Sequence, residues 1–129
     1  MEMAGEEGAD KIVQYFQTMI VTMKLYHWST RSHARHLATD TLVDELLKNT
    51  DRLIEVYIGR YARPSYPRGL SLHIEQLNDE SAVEALHLYG NWLKTDFSRY
   101  VKPHDTDIMN IRDEILGDIH RAMYRYTLM

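Results

Sequence analysis

Apolar residues recur every three or four positions along most of the chain, which is the spacing that places side chains on one face of an α-helix. The first such segment runs from Asp10 to His27, and the second, which is the longest, runs from about His36 to Tyr61. Residues 29–32 between them are of types that favour turns and helix N-caps. We therefore predict two long helices, with apolar faces formed by Ile12, Phe16, Met19, Ile20 and Met23 on the first and by Val43, Leu47, Ile54, Ile58 and Tyr61 on the second.

A segment unsuited to a helix follows the second helix. Pro64, Pro67 and Gly69 interrupt it, since proline lacks a backbone donor and disfavours helix in the residue before it. The connection continues to about Asn78. Its apolar residues fit either a short helix or an extended strip over the bundle, and the periodicity does not decide the conformation of residues 63–78.

Two further amphipathic helices complete the chain. Asn78 or Asp79 can cap the third, which Pro103 stops, and Asp105 or Thr106 can cap the fourth. The apolar faces consist of Val83, Leu86, Leu93, Phe97 and Tyr100 on the third and of Ile108, Ile111, Ile115, Ile119, Ala122, Met123 and Tyr126 on the fourth.

Four amphipathic helices with one long crossover between the second and third are typical of a ferritin-like four-helix bundle rather than a simple up-and-down bundle. The 129 residues provide for one hydrophobic core. We predict an all-α fold, with a single domain over residues 1–129 and disorder in residues 1–9.

The amino-acid composition limits the cellular locations in which we expect the protein. The hydrophobic share of 44% and the charged share of 26% are close to those of soluble globular proteins, which argues against a disordered or membrane-embedded chain. No apolar run approaches the ~20 residues that a bilayer span needs. The N-terminus is acidic, whereas a signal peptide is basic. We expect a cytoplasmic protein without a membrane partner.

The absence of cysteine and the charge distribution exclude other classes of site. Without cysteine there are no disulfides and no thiolate metal sites, so any metal must be bound by His, Asp or Glu. The net charge is −4, and Lys and Arg are scattered along the chain. The basic patch that seeks phosphate is therefore missing, and we do not expect a nucleic-acid partner.

The second helix carries a histidine and several carboxylates on one side. On a helical wheel, the polar set falls within a sector of about 100° that adjoins the predicted apolar face. His27 continues the inward face of the first helix. The sector contains His36, Asp40, Asp44, Asp51 and Glu55.

Imidazole and carboxylate together suit iron or another borderline divalent metal. A gap of four residues, as in His36 to Asp40 and in Asp51 to Glu55, places two ligands one above the other on a helix. Asp40 and Asp51 are eleven residues apart, however, or ~16 Å along the axis. A two-fold dimer with antiparallel copies of the second helix would bring the two half-sites together.

Along the chain the sequence reads His27-Trp28, then His36-x-x-x-Asp40, then, after ten residues, Asp51-x-x-x-Glu55. This block, between about Lys24 and Tyr61, resembles the ligand block of the Dps proteins, which are ferritin-like mini-ferritins. The interval from His27 to His36 is shorter than is usual in that family.

The resemblance implies a spherical dodecamer that oxidises ferrous iron with peroxide at sites across a subunit two-fold. It assigns His27, His36 and Asp40 of one chain, with Asp51 and Glu55 of the other, as metal ligands. It also offers Trp28 a role as electron donor to the oxidant, beside the packing or interface role expected of a tryptophan. The lysine-rich tail of DNA-binding members is missing.

Less specific interpretations stand beside this one. The same block, with Arg112-Asp113-Glu114, also resembles small uncharacterised phage and large-virus proteins. The alternative function is a non-catalytic helical module, virus-encoded and in the host cytoplasm, that serves assembly or partner binding. Glu84-x-x-His87 faces away from its helix's apolar side, and Asp44 and His33 are interpreted as solvated.

Overall fold

The computed structural model of the protein describes residues 4–128. Within that range the regular elements are helical, and the β-type pairing is confined to an isolated bridge between Pro67 and Gly69. The prediction of an all-α, four-helix protein is confirmed. The elements are α1 (Glu6–Ser29), α2 (His33–Arg60), α3 (Asp79–Lys94), a short 3-10 helix (Asp96–Arg99) and α4 (Thr106–Arg125).

The helices form a ring around one core. α2 packs mainly against α1 and α4, and α3 packs against α4 and α1. The order around the ring is therefore α1, α2, α4, α3, with α2 and α3 diagonal to each other. No helix of the described residues is long and apolar enough to cross a membrane.

The predicted core faces of α1 and α4 are correct, whereas that of α2 is rotated. Leu47, predicted to be buried, is 50% exposed, and Ile54 and Ile58 are only half-buried. Several polar residues lie on the inward face instead, because each has a hydrogen-bond partner inside the bundle. The buried residues of α2 are Ala38, Thr39, Leu42, Val43, Leu46, Asn49, Thr50, Leu53 and Tyr57.

Helix α1 extends into residues 1–9, the segment that was predicted to be disordered. Helix α1 begins at Glu6, and Gly8 and Ala9 are buried. Their small side chains let the first turn pack closely against the bundle, while the carboxylates of Glu6 and Glu7 suit the positive end of the helix dipole. The part of that prediction that concerns residues 1–3 lies outside the described residues.

Residues 61–78 form an extended strip without a helix, which answers the question that the periodicity left open. The strip is tied to α1 by side chains of that helix. Asp10 Oδ1 accepts hydrogen bonds from the backbone N–H groups of Ser65 (2.7 Å) and Tyr66 (3.3 Å), and Gln14 donates to the carbonyl of Ser71 (2.9 Å). Gly69 has a φ of 79°, which glycine adopts readily.

Candidate metal-binding site

A short turn joins α1 to α2 and brings two histidines face to face. Ser32 caps α2, with its hydroxyl accepting from the backbone N–H of Arg35 at 3.2 Å. The C-cap N–H of Thr30 donates to the Tyr26 carbonyl. His27 lies in the last turn of α1 and His36 in the first turn of α2, so the turn places their rings side by side.

The two histidines exchange hydrogen bonds with each other's backbone. His27 Nδ1 lies 2.9 Å from the His36 carbonyl oxygen, and His36 Nδ1 lies 2.9 Å from the His27 carbonyl oxygen. The rings stack with centroids 4.0 Å apart and an interplanar angle of 17°. Since a carbonyl oxygen can only accept, each Nδ1 must donate, and in the neutral ring Nε2 then carries the free lone pair. Metal-binding histidines are commonly oriented in this way.

Asp40 lies next to this pair. Its Oδ1 is 3.8 Å from His27 Nε2, which is too long for a hydrogen bond. The separation is short enough for one ion to bind both atoms, because two metal–ligand bonds of about 2.1 Å each can span it. His27 is 6% exposed, whereas the Asp40 side chain is 51% exposed. The structure thus places His27 against His36 and near Asp40 at the edge of the bundle.

The other two predicted ligands lie elsewhere in the same chain. Asp51 and Glu55 are exposed on α2, and Asp51 is ~16 Å from Asp40 along the helix axis. Within residues 4–128, no group of three or more His, Cys, Asp and Glu side chains is arranged to hold a metal ion by itself. The single chain therefore presents two separate partial ligand sets.

Residues outside the predicted ligand set stabilise the turn beside the histidines. Asp79 Oδ1 accepts from the Tyr26 hydroxyl (2.7 Å) and from the Thr30 hydroxyl (3.0 Å). Arg35 donates to the Tyr26 hydroxyl (3.1 Å) and to the Asp79 carbonyl (2.6 Å). The hydrogen bond from Tyr26 is the main cause that lowers the pKa of Asp79, while burial raises the pKa of Tyr26. Only the tertiary structure reveals this cluster, because α3 supplies its acid.

The remaining residues of interest are on the surface. Trp28 is 65% exposed, and the Lys24 ammonium group lies 5.1 Å from its ring centroid. Trp28 therefore follows His27 in the sequence, but its indole is exposed to solvent. Asp44, His33, Glu84 and His87 are also exposed.

Comparison with known proteins gives a family match for the segment that contains these residues. No curated protein and no solved structure matches the chain. The sequence model of a family of unknown function, DUF5856, matches residues 27–126. The match begins at His27 and extends to Tyr126 at the end of α4, so it covers well over half of the chain. The protein therefore belongs to this family of unknown function, DUF5856.

Proposed function

We propose that this protein is a ferritin-like, Dps-like iron-binding protein that oxidises and sequesters ferrous iron at sites formed between two copies of the chain. Each site would combine His27, His36 and Asp40 with the partner's Asp51 and the partner's Glu55. The ferrous ion is the substrate, and the protein would supply ligands, their orientation and negative charge.

The observation that carries this proposal is the reciprocal hydrogen bonding of the two histidines. It directs both Nδ1–H groups to backbone oxygens and leaves both Nε2 atoms as lone-pair donors, one of them 3.8 Å from a carboxylate. A histidine pair with a purely structural role has no need for a carboxylate at that position. The ligand types suit iron.

The outward face of α2 supports completion of the site by a second copy. An antiparallel pairing that matches Asp40 with the partner's Glu55 has its midpoint beside Leu47, which is half exposed. A leucine at the centre of a two-fold contact would be buried by its own symmetry mate. Ile54 and Ile58, also on this face, would lose their remaining exposure.

The arrangement of the helices supports the ferritin-like topology. In the ring order α1, α2, α4, α3, the consecutive helices α2 and α3 are diagonal, so the strip of residues 61–78 must connect across the bundle. An up-and-down bundle would instead place consecutive helices side by side.

The proposed role of these residues is to position the ferrous ions and to compensate their positive charge. The imidazoles and carboxylates would bind ferrous ions, and the carboxylates would offset the charge that increases on oxidation. Two ferrous ions would give up one electron each to one hydrogen peroxide, whose O–O bond breaks and which takes up two protons to leave as two water molecules. Trp28, which follows His27 in sequence and is exposed, is proposed as an electron donor to excess oxidant.

The test is peroxide-dependent ferrous oxidation. Protein mixed anaerobically with ferrous salt and then with peroxide is expected to develop ferric absorbance, and Asp51→Asn/Glu55→Gln is expected to abolish the protein-dependent part. Glu80→Gln/Glu84→Gln, which removes the same charge from exposed positions on α3, should behave as wild type. If the Asp51/Glu55 double variant also behaves as wild type, the site assignment is wrong.

A second candidate is a non-catalytic assembly or partner-binding module. The observation that favours it is the partial nature of the ligand set in one chain, beside an exposed apolar surface on α2 that could bury itself without metal. This function predicts no stoichiometric iron after growth in iron-rich medium. It also predicts a melting temperature that is indifferent to divalent metal, whereas a ligand that binds the native state must raise it.

A further inference from the structure

Two acidic side chains meet in the seam between α2 and α4, away from the histidines. Asp118 of α4 is buried, with 7% exposure, and the side chain of Glu45 on α2 is 23% exposed. The Oε1 atom of Glu45 is fully buried and has no hydrogen-bond partner among the described residues. A buried carboxylate oxygen without a donor is costly, so its surroundings require an explanation.

The donors near the two acids bind oxygens other than Glu45 Oε1. Asn49 Nδ2 donates to Asp118 Oδ2 at 2.7 Å, and Arg121 Nη1 donates to Glu45 Oε2 at 3.2 Å. Arg52 donates to Asn49 Oδ1 at 3.4 Å, which fixes the orientation of that amide. Each carboxyl group therefore has one donor, and neither donor reaches the buried Oε1 of Glu45.

The missing donor is supplied if the pair itself carries a proton. Asn49 and Glu45, four residues apart on α2, bond to Asp118 and Arg121, three residues apart on α4, so the two acids lie on facing sides of the seam. Two neighbouring carboxylates do not both ionise readily. Burial is the largest influence and contact with Asp118 the next, and together they raise the pKa of Glu45 to about 7. Arg121 and Arg125 oppose this shift. All of these charged groups lie on α4, and α1, the other helix packed on α2, contributes none of them.

We propose that Glu45 and Asp118 share one proton in mild acid, release it as the pH rises through neutrality, and so act as a proton-sensitive latch between α2 and α4. With the proton in place, the Glu45 hydroxyl donates to the Asp118 carboxylate and the seam is satisfied. Loss of the proton places two negative charges opposite each other across the seam and loosens it. The inference does not depend on iron binding, since neither acid belongs to the proposed ligand set.

The direction of the pH effect follows from the raised affinity of Glu45 for its proton. The folded chain holds a proton that the unfolded chain releases at the ordinary pKa of 4.5. Folding stability from this pair is therefore present in mild acid and decreases as the pH rises from that value to about 7. Above that range the loss is complete.

Two measurements test the latch. In wild-type protein, the side-chain carboxyl carbon of Glu45, followed by carbon NMR, is expected to titrate near neutrality. In Glu45→Gln, an amide replaces the protonated acid and can donate to Asp118 at any pH. Its melting temperature relative to wild type should therefore rise by roughly 5 °C between about pH 5 and about pH 8.5.

The exposed Glu84→Gln variant serves as the matched control, and its difference from wild type should not change with pH. A Glu45 carboxyl that titrates at its ordinary value overturns the proposal. So does a difference between Glu45→Gln and wild type that is the same at both pH values, whatever the absolute stability of the variant.

Discussion

Polar residues with internal partners determine which side of α2 is buried. The Thr39 hydroxyl is 2.6 Å from the Tyr126 hydroxyl, and Thr50 donates to the carbonyl of Leu46 at 2.6 Å. A buried hydroxyl that is paired costs little, whereas an unpaired one costs about 1–3 kcal/mol. The pairing allows these threonines to face the core while Leu47 faces outward.

Asp105 is a buried acid with three hydrogen-bond donors, and its removal should reduce the stability of the fold. It is buried and accepts from the Lys102 backbone N–H at 2.8 Å, from Arg60 Nε at 3.1 Å and from the Tyr61 hydroxyl. Burial tends to raise its pKa, but these hydrogen bonds and the charge of Arg60 together lower it. We expect Asp105→Asn to reduce the free energy of unfolding by about 2 kcal/mol at neutral pH.

The pH dependence of that loss provides a check. A lowered pKa means that the stabilisation is present above the ordinary pKa of 3.8 and disappears as acid protonates the folded carboxylate. Urea unfolding should therefore show the two proteins converging in acid. Asp107→Asn, at the exposed next-but-one position, should change little. An equal deficit for Asp105→Asn at every pH would contradict the argument.

At this scale the sequence indicated the residue types of the candidate site but not their geometry. His27, His36 and Asp40 could be selected by residue type and spacing, because His27 lies in the last turn of α1 and His36 and Asp40 are four residues apart near the start of α2. The exchange of Nδ1 hydrogen bonds between backbone carbonyls could not be predicted, since it depends on the path of the short turn. The shared proton of Glu45 and Asp118 was equally invisible, because two helices far apart in sequence provide its halves.

The helix boundaries show how caps and connections follow from local chemistry. Asn78 and Asp79 were equivalent candidates for capping α3, and the structure assigns the cap to Asn78. Asn78 Oδ1 accepts from the Ser81 backbone N–H at 2.8 Å, and the Ser81 hydroxyl accepts from the Asn78 N–H at 2.9 Å. Asp79 is thereby free to accept from Tyr26 and Thr30 near the candidate site.

The capping box makes a prediction about α3. Asn78→Ala removes the side-chain acceptor, and we expect a loss of about 1 kcal/mol in the free energy of unfolding. Asn78→Asp keeps an acceptor at the same position and should restore most of the stability. Chemical denaturation of the three proteins in parallel would show this order, and an alanine variant as stable as the aspartate variant would contradict it.

The elements that could be predicted from periodicity are those with one apolar face. α1 and α4 have a single apolar row, and the residues predicted for it are buried except Met123, which is partly buried, while the buried Asp118 was not predicted. α2 has two candidate rows, one through Leu46 and Leu53 and another through Leu47 and Ile54. Periodicity does not rank two rows on the same helix, because only packing against α1 and α4 decides which one is inside.

On the scale of the whole molecule, the row of α2 that the fold leaves outside is the surface through which we expect two copies to associate. It combines half-exposed Leu47 and Leu37 with Asp40, Asp51 and Glu55. A single chain cannot bury this row or complete the ligand set, and an antiparallel copy could do both.

We therefore expect a dimer that depends on Leu47. Leu47→Glu would place two carboxylates together at the two-fold axis and should shift the protein to monomer in sedimentation velocity. The helix itself should be unaffected, since the side chain is already half exposed. Leu88→Glu, at a 64% exposed position on α3, is the control and should leave the association unchanged. A wild-type protein that stays monomeric at high concentration would contradict the expectation.

The acceptors for His27 and His36 are oxygens of the main chain, which no side-chain replacement removes. Substitution of one imidazole would therefore leave the other with its acceptor and its protonation pattern, although the stacking contact between the rings would be lost. The backbone of the α1–α2 turn, rather than either ring, therefore fixes the orientation of both imidazoles. A substitution at one of these two positions is therefore expected to leave the tautomer of the other histidine unchanged.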